Sequence, residues 1–125
     1  MFISIFDFLP SITLTNPLSI TATNTNIRLS LAGNINGGTA SYGISCTGLG
    51  SKLIITGAGK IVGNTTSAII NNTTATLSIS CSDVTCSTAS SDPGIQSTGT
   101  GLLTLNTATV TNNGSANAIY AKKLN

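Results

Sequence analysis

An isoleucine preceded by a small residue recurs along this chain at a nearly fixed interval. The pairs are Ser19-Ile20, Gly43-Ile44, Ala68-Ile69, Gly94-Ile95 and Ala118-Ile119, and the steps between them are almost equal. A second apolar column comes eight to eleven residues after each, at Leu29/Leu31, Leu53/Ile55, Leu77/Ile79 and Leu103/Leu105. A third lies four to six residues further on, at Ile35, Ile61, Val84 and Val110. Three apolar columns held in phase over four units mark a repeat architecture.

Around the columns, aliphatic and polar residues alternate, as in Leu29-Ser30-Leu31, Leu77-Ser78-Ile79 and Leu103-Thr104-Leu105. Period-two alternation means half-buried strands. Asn and Gly clusters such as Asn36-Gly37-Gly38 and Asn112-Asn113-Gly114 separate them and supply corners. One such unit cannot bury its own apolar face. Stacked units form a continuous core and satisfy one another's backbone N–H and C=O groups. The expected fold is all-β: a single-stranded parallel β-helix (solenoid) of about five turns of 24–26 residues, with three short strands per turn. Residues 12–125 form the turns, and residues 1–11 form an N-terminal cap or a partial first turn.

The composition agrees with a stack of like turns. Thr, Ser, Asn and Gly make up 63 of the 125 residues, yet hydrophobic residues are 40% and the net charge is only +2, which separates the chain from disordered low-complexity sequences. Charged residues are 6%, as expected where like residues stack about 4.8 Å apart and like charges would repel. There is no His, Glu or Trp, and the acids are Asp7, Asp83 and Asp92. Ser-His-Asp and Cys-His chemistry and His-based zinc sites are therefore excluded. A charge of +2 is too weak for a nucleic-acid binder resting on phosphate contacts.

The runs Gly94-Ile95, Leu103-Thr104-Leu105-Asn106 and Val110-Thr111-Asn112-Asn113-Gly114 resemble the right-handed parallel β-helix family, the pectin-lyase-like repeats. The likeness covers roughly residues 12–125 and is specific for architecture more than for function. It implies a right-handed coil; the chain has no six-residue period of the left-handed kind. Families of this architecture include polysaccharide lyases and hydrolases, phage tailspikes, autotransporter passengers and adhesins. The enzymes among them use clustered acids, to hold calcium or for hydrolysis, and the lyases add a basic residue that takes a proton. None of their catalytic motifs matches a position here, so no catalytic residue, cofactor or metal is expected, and a degenerate lyase is the least favoured reading.

Other features carry less. Arg28 and Lys52 each precede a second-column Leu and are expected to point outward on adjacent turns, with Thr76 and Leu102 continuing the row. Such a strip suits solubility and edge protection, or contact with an anionic glycan. Thr-x-Thr pairs such as Thr21/Thr23 do not repeat at equivalent positions, which argues against an ice-binding array. The three cysteines are Cys46, Cys81 and Cys86. Cys81 is expected inside; a Cys81–Cys86 disulfide across one bend is an open alternative to buried thiols. Asn-x-Ser/Thr sequons fall at Asn64, Asn71, Asn72 and Asn113, as chance allows in this composition.

The two ends suggest the function. Residues 1–10 hold all three Phe but lack a basic n-region and a cleavage site, and they are too short to span a membrane. If a second copy followed, Ile3 and Ile5 would stand to Ile119 as Leu29 and Leu31 stand to Ile20. The expectation is a non-enzymatic structural subunit that stacks head to tail into an extracellular, cell-surface or virion-type filament, one chain's end continuing into the next chain's start. Phe2, Ile3, Ile5, Phe6 and Phe8 would form one side of the contact, and Ile119, Tyr120 and Leu124 the other. Lys122 and Lys123 pull against it as edge gatekeepers. The alternative is a glycan-binding adhesin or tailspike-like fragment. The partners are thus copies of the chain and, in the alternative, glycans, with neither nucleic acid nor a membrane span.

Overall fold

The computed structural model describes residues 3–8 (as backbone), 11–86, 91–106 and 109–125. Every element is a short strand. The first coil is β1 (Ile3–Phe8), β2 (Ile12–Thr13) and β3 (Leu18–Ile20). The second is β4 (Asn26–Leu31), β5 (Ile35–Asn36) and β6 (Ile44–Cys46), and the third is β7 (Lys52–Gly57), β8 (Lys60–Gly63) and β9 (Ile69–Asn71). The fourth is β10 (Thr76–Ile79), β11 (Asp83–Cys86) and β12 (Ile95–Ser97), and the fifth is β13 (Leu103–Leu105), β14 (Thr109–Asn112) and β15 (Ile119–Ala121). The first strands of the coils form one parallel five-stranded sheet, A; the second strands form sheet B and the third strands sheet C. The protein is an all-β parallel solenoid with three sheets, and four complete turns separate the first and last strand of each.

The strands form where the alternation places aliphatics on one side. In β8, β9, β11 and β12 burial alternates residue by residue. The inward side chains meet in a single core. Twelve Leu and Ile side chains, among them Leu29, Leu31, Ile35, Leu53, Ile61, Ile69, Leu77, Ile95 and Leu103, are under 2% exposed. Full burial of such a side chain contributes roughly 1.5–3 kcal/mol.

The register confirms the third column: Ile12, Ile35, Ile61, Val84 and Val110 lie one above another in sheet B. It corrects the other two in their first members. Ile44, Ile69, Ile95 and Ile119 stack as expected, but Leu18 lies beneath Ile44, while Ile20 lies beneath Cys46. Likewise Ile27, not Leu29, lies in the row of Leu53, Leu77 and Leu103, and Leu29 joins the row of Ile55, Ile79 and Leu105. Both slips are by one inward position. Such a slip keeps every side chain on its face, so alternation cannot detect it. Because Ile20 and Leu29 slip together, their spacing also survives.

The corner between sheets C and A fixes the true phase. Asn24 (φ 52°) and Gly50 (φ 66°) both take the left-handed conformation. Their separation in the chain equals the offset of the β4–β7 register, which pairs Asn26 with Lys52. Asn24 N–H donates to Leu49 O at 2.9 Å. Gly57 (φ 104°) is demanded by a close approach: a Cβ there would lie 2.2 Å from Leu31 O.

Two further expectations change. Arg28 lies beside Ile54, and Lys52 lies beside Asn26, so the two cations are diagonal neighbours rather than a stacked pair. In sheet A, Ile3 and Ile5 pair with Asn26 and Arg28, while Phe6 and Phe8 pair with Leu29 and Leu31. The apolar column therefore passes through the Phe6 and Phe8 positions, not those of Ile3 and Ile5. Phe2 lies outside the described residues.

Candidate functional surfaces

Three features of the solenoid could act outward: the exposed face of sheet A, the polar corners, and the two end coils. On sheet A, a depression of about 320 Å³ is lined by Lys52, Thr76, Leu77, Ser78, Leu102 and Thr104. A second of about 190 Å³ is lined by Asn26, Ile27, Arg28, Lys52 and Ile54. Lys52 borders both. Among the described residues neither Arg28 nor Lys52 makes an ion pair. Lys60 of β8 does pair with a carboxylate: its Nζ lies 2.8 Å from Asp83 Oδ2 on the next coil. Lys60 and Asp83 are register partners, so this pair bridges two turns.

The corners are held by side-chain amides. Asn71 is fully buried at the end of β9. Its Nδ2 donates to Ala75 O at 2.8 Å and to Ser97 Oγ at 3.4 Å, and its Oδ1 accepts from Thr73 N–H and Thr73 Oγ1–H. Asn112 does similar work at the end of β14, donating to Asp92 O and Ala116 O and accepting from Gly114 N–H. Asn64 Nδ2 donates to Asn36 Oδ1 at 2.7 Å, joining two coils. Of the four sequons, Asn71 is thereby committed to the fold, while Asn72 and Asn113 are exposed.

Cys46, Cys81 and Cys86 are free buried thiols, so the buried alternative holds and the Cys81–Cys86 disulfide does not form. Burial pushes the Cys81 thiol from the ordinary 9.0 up to about 11. Burial also raises Cys46. Cys86 Sγ–H donates to Thr66 O at 2.9 Å. Buried thiols of this kind are poor nucleophiles. Among the described residues no three Cys, Asp or Glu converge as a metal group.

The end coils differ from the rest. Ile12, Leu14 and Leu18 near the start, and Leu105, Val110, Ile119 and Ala121 near the end, pack on the core yet are only partly buried. Their column mates in the middle coils, such as Ile61, Ile69 and Val84, are 0% exposed. β2 and β3 are edge strands below, and β14 and β15 are edge strands above. Of the residues expected at the upper contact, Ile119 lies in the core column, Tyr120 turns outward and is half exposed, and Leu124 forms a bridge with Leu103.

The Leu124 bridge is a feature that spacing in the sequence does not reveal. Leu124 follows Leu103 by less than a full repeat interval. Through it the chain folds back over β13: Leu103 N–H donates to Lys123 O (2.9 Å), Leu105 N–H to Asn125 O (3.1 Å), and Asn125 N–H to Leu103 O (2.8 Å).

No family model, no curated protein and no solved structure matches this chain. No helix among the described residues is long and apolar enough to cross a membrane.

Proposed function

We propose that this protein is a non-enzymatic structural subunit whose copies stack end to end, the first coil of one on the fifth coil of another. The observation that carries this reading is the partial burial of the core columns at both ends. Extending the register by one coil sets Ile12 of the incoming copy on Val110, Leu18 on Ile119, and the Phe6 position over Leu105. The Ile12 and Leu18 contacts are apolar on apolar, and the edge strands of sheets B and C gain parallel partners at once. The contact is heterologous and does not close, so it grows into a filament. In this reading the filaments are extracellular, cell-surface or virion-borne, in keeping with the resemblance to tailspikes and adhesins. The paucity of acids and the absence of His support a chain without catalysis.

Electron microscopy of concentrated protein tests the proposal. Unbranched filaments are expected, with a fibre reflection near about 4.8 Å along the axis. A monodisperse monomer at millimolar concentration overturns it.

The two depressions on sheet A favour a second reading, a glycan-binding β-helix of the adhesin or tailspike kind. Arg28 and Lys52 would meet an acidic sugar there, with Thr76, Ser78 and Thr104 supplying hydroxyls. A glycan array distinguishes the two: binding by a discrete monomer, lost in Lys52→Ala, supports the second.

A further inference from the structure

The fold-back at Lys123–Asn125 bears directly on the stacking surface. The row that holds Ile27, Leu53, Leu77, Leu103 and Leu124 is the row that holds Ser4 of β1. A second copy that sets its β1 on β13 therefore needs the place Leu124 occupies. It also needs the Leu103 N–H, Leu103 C=O and Leu105 N–H groups, and all three are taken by Lys123 and Asn125. The expected continuity, one chain's end flowing into the next chain's start, is replaced by competition for the same edge.

Two observations set this segment apart from one more coil. From the last inward position of sheet C to the first of sheet A the chain uses seven, seven, six and six residues (Ile20 to Ile27, Cys46 to Leu53, Asn71 to Leu77, Ser97 to Leu103), but only three from Ala121 to Leu124. The segment reaches sheet A by a shortcut that bypasses the regular corner. Its outer side is open: Leu124 is 56% exposed, while Leu103 beside it is fully buried. Lys122 and Lys123 set two positive charges beside this edge, a common means of discouraging strand addition. Sheets B and C have no such cover among the described residues, so the obstruction falls on one of three edges.

We propose that Lys123–Asn125 is a built-in stop for self-assembly: an edge plug that must leave β13 before β1 of a second copy can dock. This rests on the end-to-end reading above. The plug raises the concentration at which folded subunits stack and makes stacking a displacement reaction, in which hydrogen bonds of the plug are exchanged for those of the incoming strand.

The test compares the full chain with a chain ending at Lys122 and with Asn125→Pro, which deletes one plug donor and leaves β13 intact. Sedimentation and seeded growth are measured across concentration, with circular dichroism as the check on folding. Both variants are expected to assemble at lower concentration: Asn125→Pro by about tenfold, the factor that one backbone hydrogen bond of ordinary net strength carries, and the chain ending at Lys122, which loses all three plug bonds, by more. Amide exchange at Leu103 and Leu105 is expected to be slow in the full chain, fast in the unplugged monomer and slow again in filaments. Adding Leu18→Lys on the opposite edge is expected to keep the unplugged chain monomeric, which separates ordered stacking from exposure of Leu103. Assembly of the full chain and both variants at the same concentration and rate overturns the plug and leaves stacking intact. Folded variants that never assemble overturn the stacking reading, and the plug with it.

Discussion

Ile69 and Ile119 occupy the same column of sheet C, two coils apart, and yet they sit in different environments. Ile69 has a coil above and a coil below and is sealed; Ile119 has one neighbour and is only partly buried. The same contrast separates Val84 from Val110 and Ile79 from Leu105. In a solenoid, burial belongs to a residue's neighbours in the stack more than to the residue. A side chain written for the core becomes a docking surface wherever the stack stops, and this is why the ends, not the faces, are the proposed site of action.

Several substitutions would break or sharpen this contrast. The largest effect is expected for Ile69→Ala, a loss of about 2–5 kcal/mol in denaturant unfolding. Ile119→Ala should cost less than half of that in the monomer. In filaments the two costs should converge, and equal costs in the monomer would refute the environmental difference. Next comes the pair of corner amides. Asn71→Ala leaves the buried Ala75 without the donor to its carbonyl and removes the acceptor of the Thr73 N–H, with an expected cost of about 1–3 kcal/mol. Asn112→Ala opens onto water and should cost under about 1 kcal/mol on the same scale, read from paired melting curves.

The buried thiol supplies a pH test of the inner coils. The Cys81 pKa is raised on folding because burial disfavours the thiolate. The folded state thus holds its proton where the unfolded chain releases it. The contribution is fully present below about 9 and is lost as pH rises from there through about 11. Urea midpoints should fall across that window, and Cys81→Ala should flatten the fall. A variant that keeps the same slope would place the titration elsewhere. The smallest effect belongs to the outer face. Lys60 is half exposed, so Lys60→Met should cost no more than about 0.5 kcal/mol, diminishing in high salt.

Much of this architecture is legible in the chain, and the misreadings have a common origin. Alternation in runs such as Leu77-Ser78-Ile79 reports which face a residue occupies, and the repeat interval reports the coil. Neither reports phase more finely than one inward position. Spacing therefore puts Ile20 and Leu29 in the wrong rows. It places Ile35, Ile61, Val84 and Val110 correctly, because each of these sheet B strands offers one inward aliphatic and leaves no second choice. The phase is written in the corners, in the left-handed Asn24 and Gly50, whose separation gives the register directly. In the end coils the same slip recurs in the residues that spacing picks out. Ile3 and Ile5 match a spacing that belongs to the slipped row, and Leu124 matches none because its corner is three residues long. The dependence of Asn71 on Ser97 is invisible in the sequence, since a buried Asn looks like any other in a chain so rich in them.

All strand pairing within the three sheets joins a coil to the one directly before or after it. The molecule is in that sense one-dimensional, and its cooperativity has to travel along the axis through each junction in turn. A weak junction would then act as a seam. If the contacts between the second and third coils were loosened, for instance at Gly57, the two halves would melt as separate blocks, each with its own midpoint. Stability would depend on the length of the unbroken run, and a filament would melt at higher temperature than its subunit with no change in any single contact.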